Sequence, residues 1–291
     1  MLAAAACGDD GGAAPDAPPK DIGFNKPTKS LKGNREVADN QWMELGPADL
    51  ACLGTPSADA ATTVDVALST KVTDFQSGNL APGTSVIAFP NQSIGQPFGA
   101  AVVADEMAKL TLTIPTGTKR FGFKMTSDSA LDTLLLNQTV QPDMAAQMLG
   151  QIQSVSKTTA QTLPALIGVS RTAGTGVLAG AVRDCANHEI SNFIATVSST
   201  KGEVNHVDGA DTYYFSSSVG LPVRHSQKAA SSEDGLFMII ELQAAPKAFV
   251  QVWGYVNDTD LAADKLTLVA ELETAVITDT VITGSYEPLR Q

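Results

Sequence analysis

Aromatic side chains are scarce in this chain, at 5% of 291 residues, and it holds only three histidines and three cysteines. Its apolar 43% is mostly Ala, Val and Leu set among abundant Thr, Ser and Gly, a mixture that favours several short strands over large helices. Basic residues are few as well: 19 Lys and Arg stand against 31 Asp and Glu, for a formal charge of −12. A field of that sign repels phosphate backbones and anionic lipid surfaces, so no nucleic-acid partner is expected. A surplus of acid also serves simply to keep an exported chain soluble. No run reaches the roughly 18–20 apolar residues that cross a bilayer as a helix.

The signatures of catalysis are missing too. No Gly-x-Ser-x-Gly elbow offers a serine nucleophile, and no glycine-rich phosphate loop or dinucleotide fingerprint follows a strand. His188, His206 and His225 are scattered at spacings that fit no metal-ligand pattern, so they read as surface or turn histidines. Asp208, Asp211, Glu233 and Asp234 fall in no twelve-residue calcium loop. The expectation is a protein that is not an enzyme, with no metal and no cofactor.

What is present begins at the N-terminus. In "MLAAAACGDDGG", Leu2 and the small residues Ala3 to Ala6 lead to Cys7, and a polar, glycine-rich stretch follows. This resembles the lipobox of bacterial lipoproteins, in which the thiol of the cysteine receives a diacylglyceryl group. The resemblance implies lipid attachment at Cys7, a membrane partner, and a place in the bacterial cell envelope, anchored to the outer membrane. Ala4 stands where the family usually has Leu, and the basic and long apolar parts of a signal are missing; a start assigned too far downstream accounts for both gaps. Residues 1–7 are therefore expected to be a truncated signal. Residues 8–40, with Pro15, Pro18, Pro19, Gly23 and Pro27 and little apolar periodicity, are expected to be a disordered linker that buries too little surface to offset its ordering entropy.

Beyond Trp42 the chain alternates as strands do. Val64, Val66 and Leu68 share one parity, as do Leu110, Leu112 and Ile114, with turn chemistry at Asp74–Gly83 and Pro115–Gly117. Single apolar faces of this kind need a second sheet to cover them. The order then returns: "GVLAGAVRDCANHEISNFIATV" repeats the plan of "VDVALSTKVTDFQSGNLAPGTSVIAF", with Val182 and Asp184 standing for Val72 and Asp74. "EDGLFMIIELQ" answers "EMAKLTLTIPT", and "FVQVWGYV" answers "RFGFKM".

On these residues the chain resembles the carboxypeptidase regulatory-like domain, a transthyretin-like or prealbumin-like β-sandwich, over 63–138 and more loosely over 173–270. The family implies a non-catalytic role and carries no active site. Its usual Asp-Gly turn is present as Asp234-Gly235 in the second copy, whereas the first has Met107-Ala108, so a longer or differently shaped turn is expected there. The expected fold is all-β, with two tandem prealbumin-like (transthyretin-like) β-sandwich domains, 41–138 and 173–291. A short, partly helical connector, 139–172, is expected between them, with Met144, Gln147 and Met148 and also Thr159, Leu163 and Leu166 at helical spacing and Ser156 as a cap. An ordered loop is the other reading of that connector.

Two thiols are left once Cys7 is assigned to lipid. In an oxidising compartment Cys52 and Cys185 are candidates for a disulfide between the approach to the first sandwich and the first turn of the second; two separately buried thiols are the alternative. Phe249, Trp253 and Tyr255 share one parity of "FVQVWGYV" and are either packed or a ligand face for glycans. Lys71 and Asn137 are candidates for an isopeptide. The expected function is a non-catalytic, lipid-anchored envelope protein, a binding or structural module that meets envelope proteins, with carbohydrate binding through the aromatic face as the alternative.

Overall fold

The computed structural model describes residues 23–75, 77–91, 93–160, 171–216 and 220–291. Nearly all its regular structure is β. An N-terminal hairpin, β1 (Lys32–Ala38) and β2 (Gln41–Pro47), precedes the first sandwich. That sandwich contains β3 (Val66–Asp74), β4 (Ser85–Pro90), β5 (Val102–Val103), β6 (Lys109–Ile114), β7 (Phe121–Thr126), β8 (Ala130–Gln138) and β9 (Ala146–Ser156). The second contains β10 (Gly176–Val182), β11 (Glu189–Ser191), β12 (Ile194–Ser198), β13 (Asp211–Phe215), β14 (Pro222–Arg224), β15 (Leu236–Leu242) and β16 (Ala245–Gly254). A short helix α1 (Asp258–Ala262) leads to β17 (Thr267–Val276) and β18 (Thr280–Tyr286).

Alternation sets the layers. On β6, Leu110, Leu112 and Ile114 are buried while Lys109, Thr111 and Thr113 face solvent. Together with Val66, Leu68 and Val72 of β3 they meet Val86 and Ala88 of β4 and Phe121, Phe123 and Met125 of β7 in one core. Sheet β6-β3-β9 thus covers sheet β5-β4-β7-β8, as a sandwich requires.

The pairings show the duplication. β3 runs antiparallel to β6 and parallel to β9, as β10 does to β15 and β18. β4 pairs with β7 and β7 with β8, as β12 pairs with β16 and β16 with β17. Val72-x-Asp74 and Val182-x-Asp184 end or follow the first strand of each copy, where the sequence placed them.

The two copies are also fused. β8 runs parallel to β18, from Asp132 opposite Thr280 to Leu136 opposite Gly284, so one twelve-stranded sheet crosses both sandwiches. Leu134 and Leu136 of β8 and Phe89 of β4 lie in the second core with Leu178, Ile239, Val250 and Ile282. Gly122 leaves room for this arrangement, because a Cβ there would stand 2.7 Å from the Phe89 ring.

Three expectations change. The linker expected over 8–40 contains β1 and a docked strap before it: Leu31 is fully buried, its N–H bonds the carbonyl of Tyr255, and β1 pairs with β11 of the second sandwich. The apolar content of this stretch is too low to signal a strand, since only Gly33 and Asn34 of β1 are buried. The connector is not helical where Met144, Gln147 and Met148 suggested it; Ala146–Ser156 is β9, fixed by its pairing to β3. Residues 157–160 are helical, and Ser156 Oγ accepts from the Thr159 N–H at 3.1 Å as a cap does. Leu163 and Leu166 lie outside the described residues. Finally, the Met107-Ala108 turn is not shaped differently: Ala108 takes φ +58°, close to the +65° of Gly235, so an alanine occupies the left-handed position.

Candidate functional site

The Asp184 turn is a tightly built polar cluster. Asp184 is buried, and its Oδ1 accepts from the N–H groups of Ala186 and His188, each at 2.9 Å. Its Oδ2 accepts from the Asp49 N–H at 3.1 Å and lies 3.5 Å from His188 Nδ1. Beside it Cys52 and Cys185 form a disulfide, with Cα atoms 5.8 Å apart. The carboxylate is spent on backbone donors from two stretches of chain, its own turn and Asp49, so this cluster staples the approach to the first sandwich onto the second. In the first copy Asp74 has the corresponding task, accepting from the Ser77 N–H at 2.9 Å and the Ser156 N–H at 3.0 Å. Burial works to raise the Asp74 carboxyl, but those hydrogen bonds outweigh it and hold it below the usual range.

The aromatic residues nominated as a ligand face do not form one. Phe249, Trp253 and Tyr255 are 3%, 6% and 1% exposed. Trp253 Nε1 donates to Gln251 Oε1 at 3.2 Å, and the Lys247 ammonium stands over the Phe249 ring. Tyr255 donates to Asp264 at 2.6 Å, and Asp264 also pairs with Lys26 of the strap. Both faces of β16 are buried from Ala248 to Gly254, and Leu31 of the strap packs at Gly254, on the side of Val250 and Val252. Tyr213 and Tyr214 are buried likewise.

The histidines are parts of the fold. His206 Nδ1 accepts from the Val197 N–H at 3.1 Å and its Nε2 lies 3.0 Å from the Ala210 carbonyl, which fixes a neutral ring; burial, which outweighs the Ala210 contact, lowers its pKa. Phe24 stacks on His225 at 4.1 Å and meets His206 edge-on at 5.0 Å. His188 sits in its predicted turn. Asn137 cannot serve as an isopeptide partner in this arrangement: its Oδ1 accepts from Arg120 and its Nδ2 donates to the Ser285 carbonyl. Cys7 lies outside the described residues.

Sequence reasoning missed two features. Arg120 binds Asp59, Asn137 and Glu287 together, tying the first sandwich to the segment after β18. Contacts spanning up to 167 positions leave no local pattern to read. The second is an open cleft of about 600 Å³ along the first half of β9, lined by Leu68, Val140, Gln147, Met148 and Leu149. Met148 is 86% exposed, and its isolation in an uncharged stretch was the available signal. Among the described residues no group of three or more His, Cys, Asp and Glu side chains is placed to hold a metal, and no helix is long and apolar enough to cross a membrane.

No family model and no curated protein matches the chain. Among solved structures it is similar to the Bacillus anthracis TIE protein, at 12% identity over 77% of this chain and 34% of that one, with a TM-score of 0.24. The chain therefore spans about a third of the length of that protein. It is also similar to the shaft pilin SpaA of Lactobacillus rhamnosus GG, at 10% identity over 78% of this chain and 98% of that one, with a TM-score of 0.24. A mutant of the major pilin of Streptococcus pyogenes gives 11% identity over 78% and 99%, with a TM-score of 0.20.

Proposed function

We propose that the protein is a non-catalytic structural module of the bacterial cell envelope, held to the membrane by a diacylglyceryl group on Cys7 and presenting two fused sandwiches of the carboxypeptidase regulatory-like type. One observation carries the structural reading: the imidazole, carboxylate and aromatic groups best suited to chemistry or ligand binding are committed to the fold. Asp184 and Asp74 hold turns, His206 bonds backbone on both ring nitrogens, and Trp253 and Tyr255 are inside. A disulfide and a shared sheet join the halves, which suits a part that bears load or spaces partners better than one that closes on a substrate. The lipid reading is supported by the small residues before Cys7.

Expression of the full-length precursor in bacteria, followed by detergent partitioning, tests the anchor. The wild type is expected in the detergent phase and Cys7→Ser in the aqueous phase. Equal membrane association of the two would defeat the proposal.

A further inference from the structure

We propose that the free edge of β9, with the cleft beside it, is a strand-acceptor site for another polypeptide. Its occupant is an extended segment from a second sandwich domain, running parallel to β9 and placing two apolar side chains, two residues apart, into the cleft. This goes beyond the envelope role and is independent of Cys7.

The two copies supply the first argument. β18 and β9 hold the same place in their repeats, each parallel to the first strand, β10 or β3. The other edge of β18 is filled by β8, which sends Leu134 and Leu136, both fully buried, into the second core. The other edge of β9 meets a strand only at its end, where Val155 and Ser156 face Leu131 and Ala130. Over Ala146–Ser154 no strand pairs with it among the described residues. There the cleft opens, with Leu68, Val140 and Leu149 along it.

Edge chemistry supplies the second. Exposed edge strands are normally blunted by charges or proline, yet "MAAQMLGQIQSVS", from Met144 to Ser156, has neither. β17, the counterpart of β8 and the end strand of its own sheet, differs. Ala270 and Leu272 face its own core, leaving Glu271 and Glu273 at the alternate positions that Leu134 and Leu136 fill in β8. Glu271 accepts from Gln251 and Glu273 pairs with Lys247. A second copy offering β17 would bring two carboxylates against Leu68, Val140 and Leu149 in a cleft that Asp59, Lys119 and Gln141 also line, so a strand with leucines at those positions is the better fit. The segment that fits is one like β8, with leucines at both positions, and strand addition of this kind draws affinity from the backbone and specificity from alternate side chains.

A fluorescent peptide copying residues 128–139 is the probe, added to the intact, oxidised protein and followed by anisotropy. Saturable binding on the order of micromolar is expected, weakened roughly tenfold or more by Met148→Lys, which adds a charge at an exposed edge position without disturbing the core. A peptide with aspartates in place of its two alternate leucines, those of Leu134 and Leu136, should not bind. In a second arm, light scattering of E271L/E273L should show head-to-tail oligomers that Met148→Lys disperses. Two results overturn the proposal. One is an unbound wild-type peptide together with a monomeric double variant. The other is a wild-type dimer that Met148→Lys dissolves, which would give this edge to a second copy.

Discussion

The two sandwiches share one pairing diagram and close it by different means. The second has neighbours the first lacks: β8 fills the edge of β18, the Leu31 N–H of the strap bonds Tyr255 just after β16, and the hairpin β1–β2 extends from β11, while β17 stays the end strand of its sheet. The first, among the described residues, leaves β9 without a second partner over Ala146–Ser154, and it contributes its own Phe89, Leu134 and Leu136 to its neighbour. A repeated fold thus need not repeat its boundaries. The framework of parallel and antiparallel partners is set by alternation, whereas closure depends on what stands next along the chain. The same contrast reaches single residues. Gly235 adopts a left-handed turn at no cost, and Ala108 adopts the matching turn against its Cβ.

The comparison breaks most sharply at Phe89. Phe89→Ala should cost about 3–5 kcal/mol, since a buried ring is removed from a site that collapses only in part. The loss should appear in the second sandwich although the residue belongs to the first. Hydrogen exchange at β10 and β15 should rise; unchanged protection there would mean that the shared core does not couple the halves. Gly235→Ala should cost roughly 2 kcal/mol, because the left-handed φ is joined by a Cβ only 2.9 Å from the Val182 carbonyl oxygen, whereas Ala108→Gly should stay within about 0.5 kcal/mol as relief of strain offsets a lost methyl. Denaturant melts of the two variants that match in size would refute the distinction.

The smallest effect concerns pH. Burial, against a hydrogen bond from the Leu236 N–H, lifts the Asp234 carboxyl from 3.8 to about 6. The folded state therefore holds a proton that the unfolded chain releases. This stabilisation is complete below about 3.8 and fades as pH rises through about 6. Asp234→Asn should then stabilise the protein at pH 7.5 by on the order of 1–2 kcal/mol and do little at pH 4. Asp74, whose carboxyl is lowered, should behave oppositely: Asp74→Asn should be costly at pH 7 and progressively less so below the ordinary value of 3.8. Thermal melts decide it, at about pH 4 and 7.5 for Asp234→Asn and at about pH 2.5 and 7 for Asp74→Asn.

Much of this architecture could be read in the chain because its causes are local. Leu110, Leu112 and Ile114 alternate, and Val72-x-Asp74 recurs as Val182-x-Asp184, so strands, turns and duplication leave short-range marks. The features that escaped depend on partners far away. Ala, Gln and Met around Met148 favour helix by propensity, but pairing with β3 overrides it. Trp253 is buried on a strand whose neighbours come from far along the chain, among them Leu31, which packs at Gly254 more than two hundred positions later. Of the candidate site, Cys52 and Cys185 were visible as a pair, while the cleft at β9 follows from the lack of a neighbour on that edge, which sequence alone does not display.

β18 follows seventeen other strands and yet lies inside the large sheet, between β10 and β8. A chain leaving the ribosome or a membrane pore in order therefore carries both of these strands with unsatisfied edges until almost all of it has emerged. Parallel pairing over such separations is slow, and open edges invite misassembly while they wait. Maturation of this protein should accordingly lean on helpers that shield β8 and β10, and a truncation just short of Thr280 should strand both halves at once.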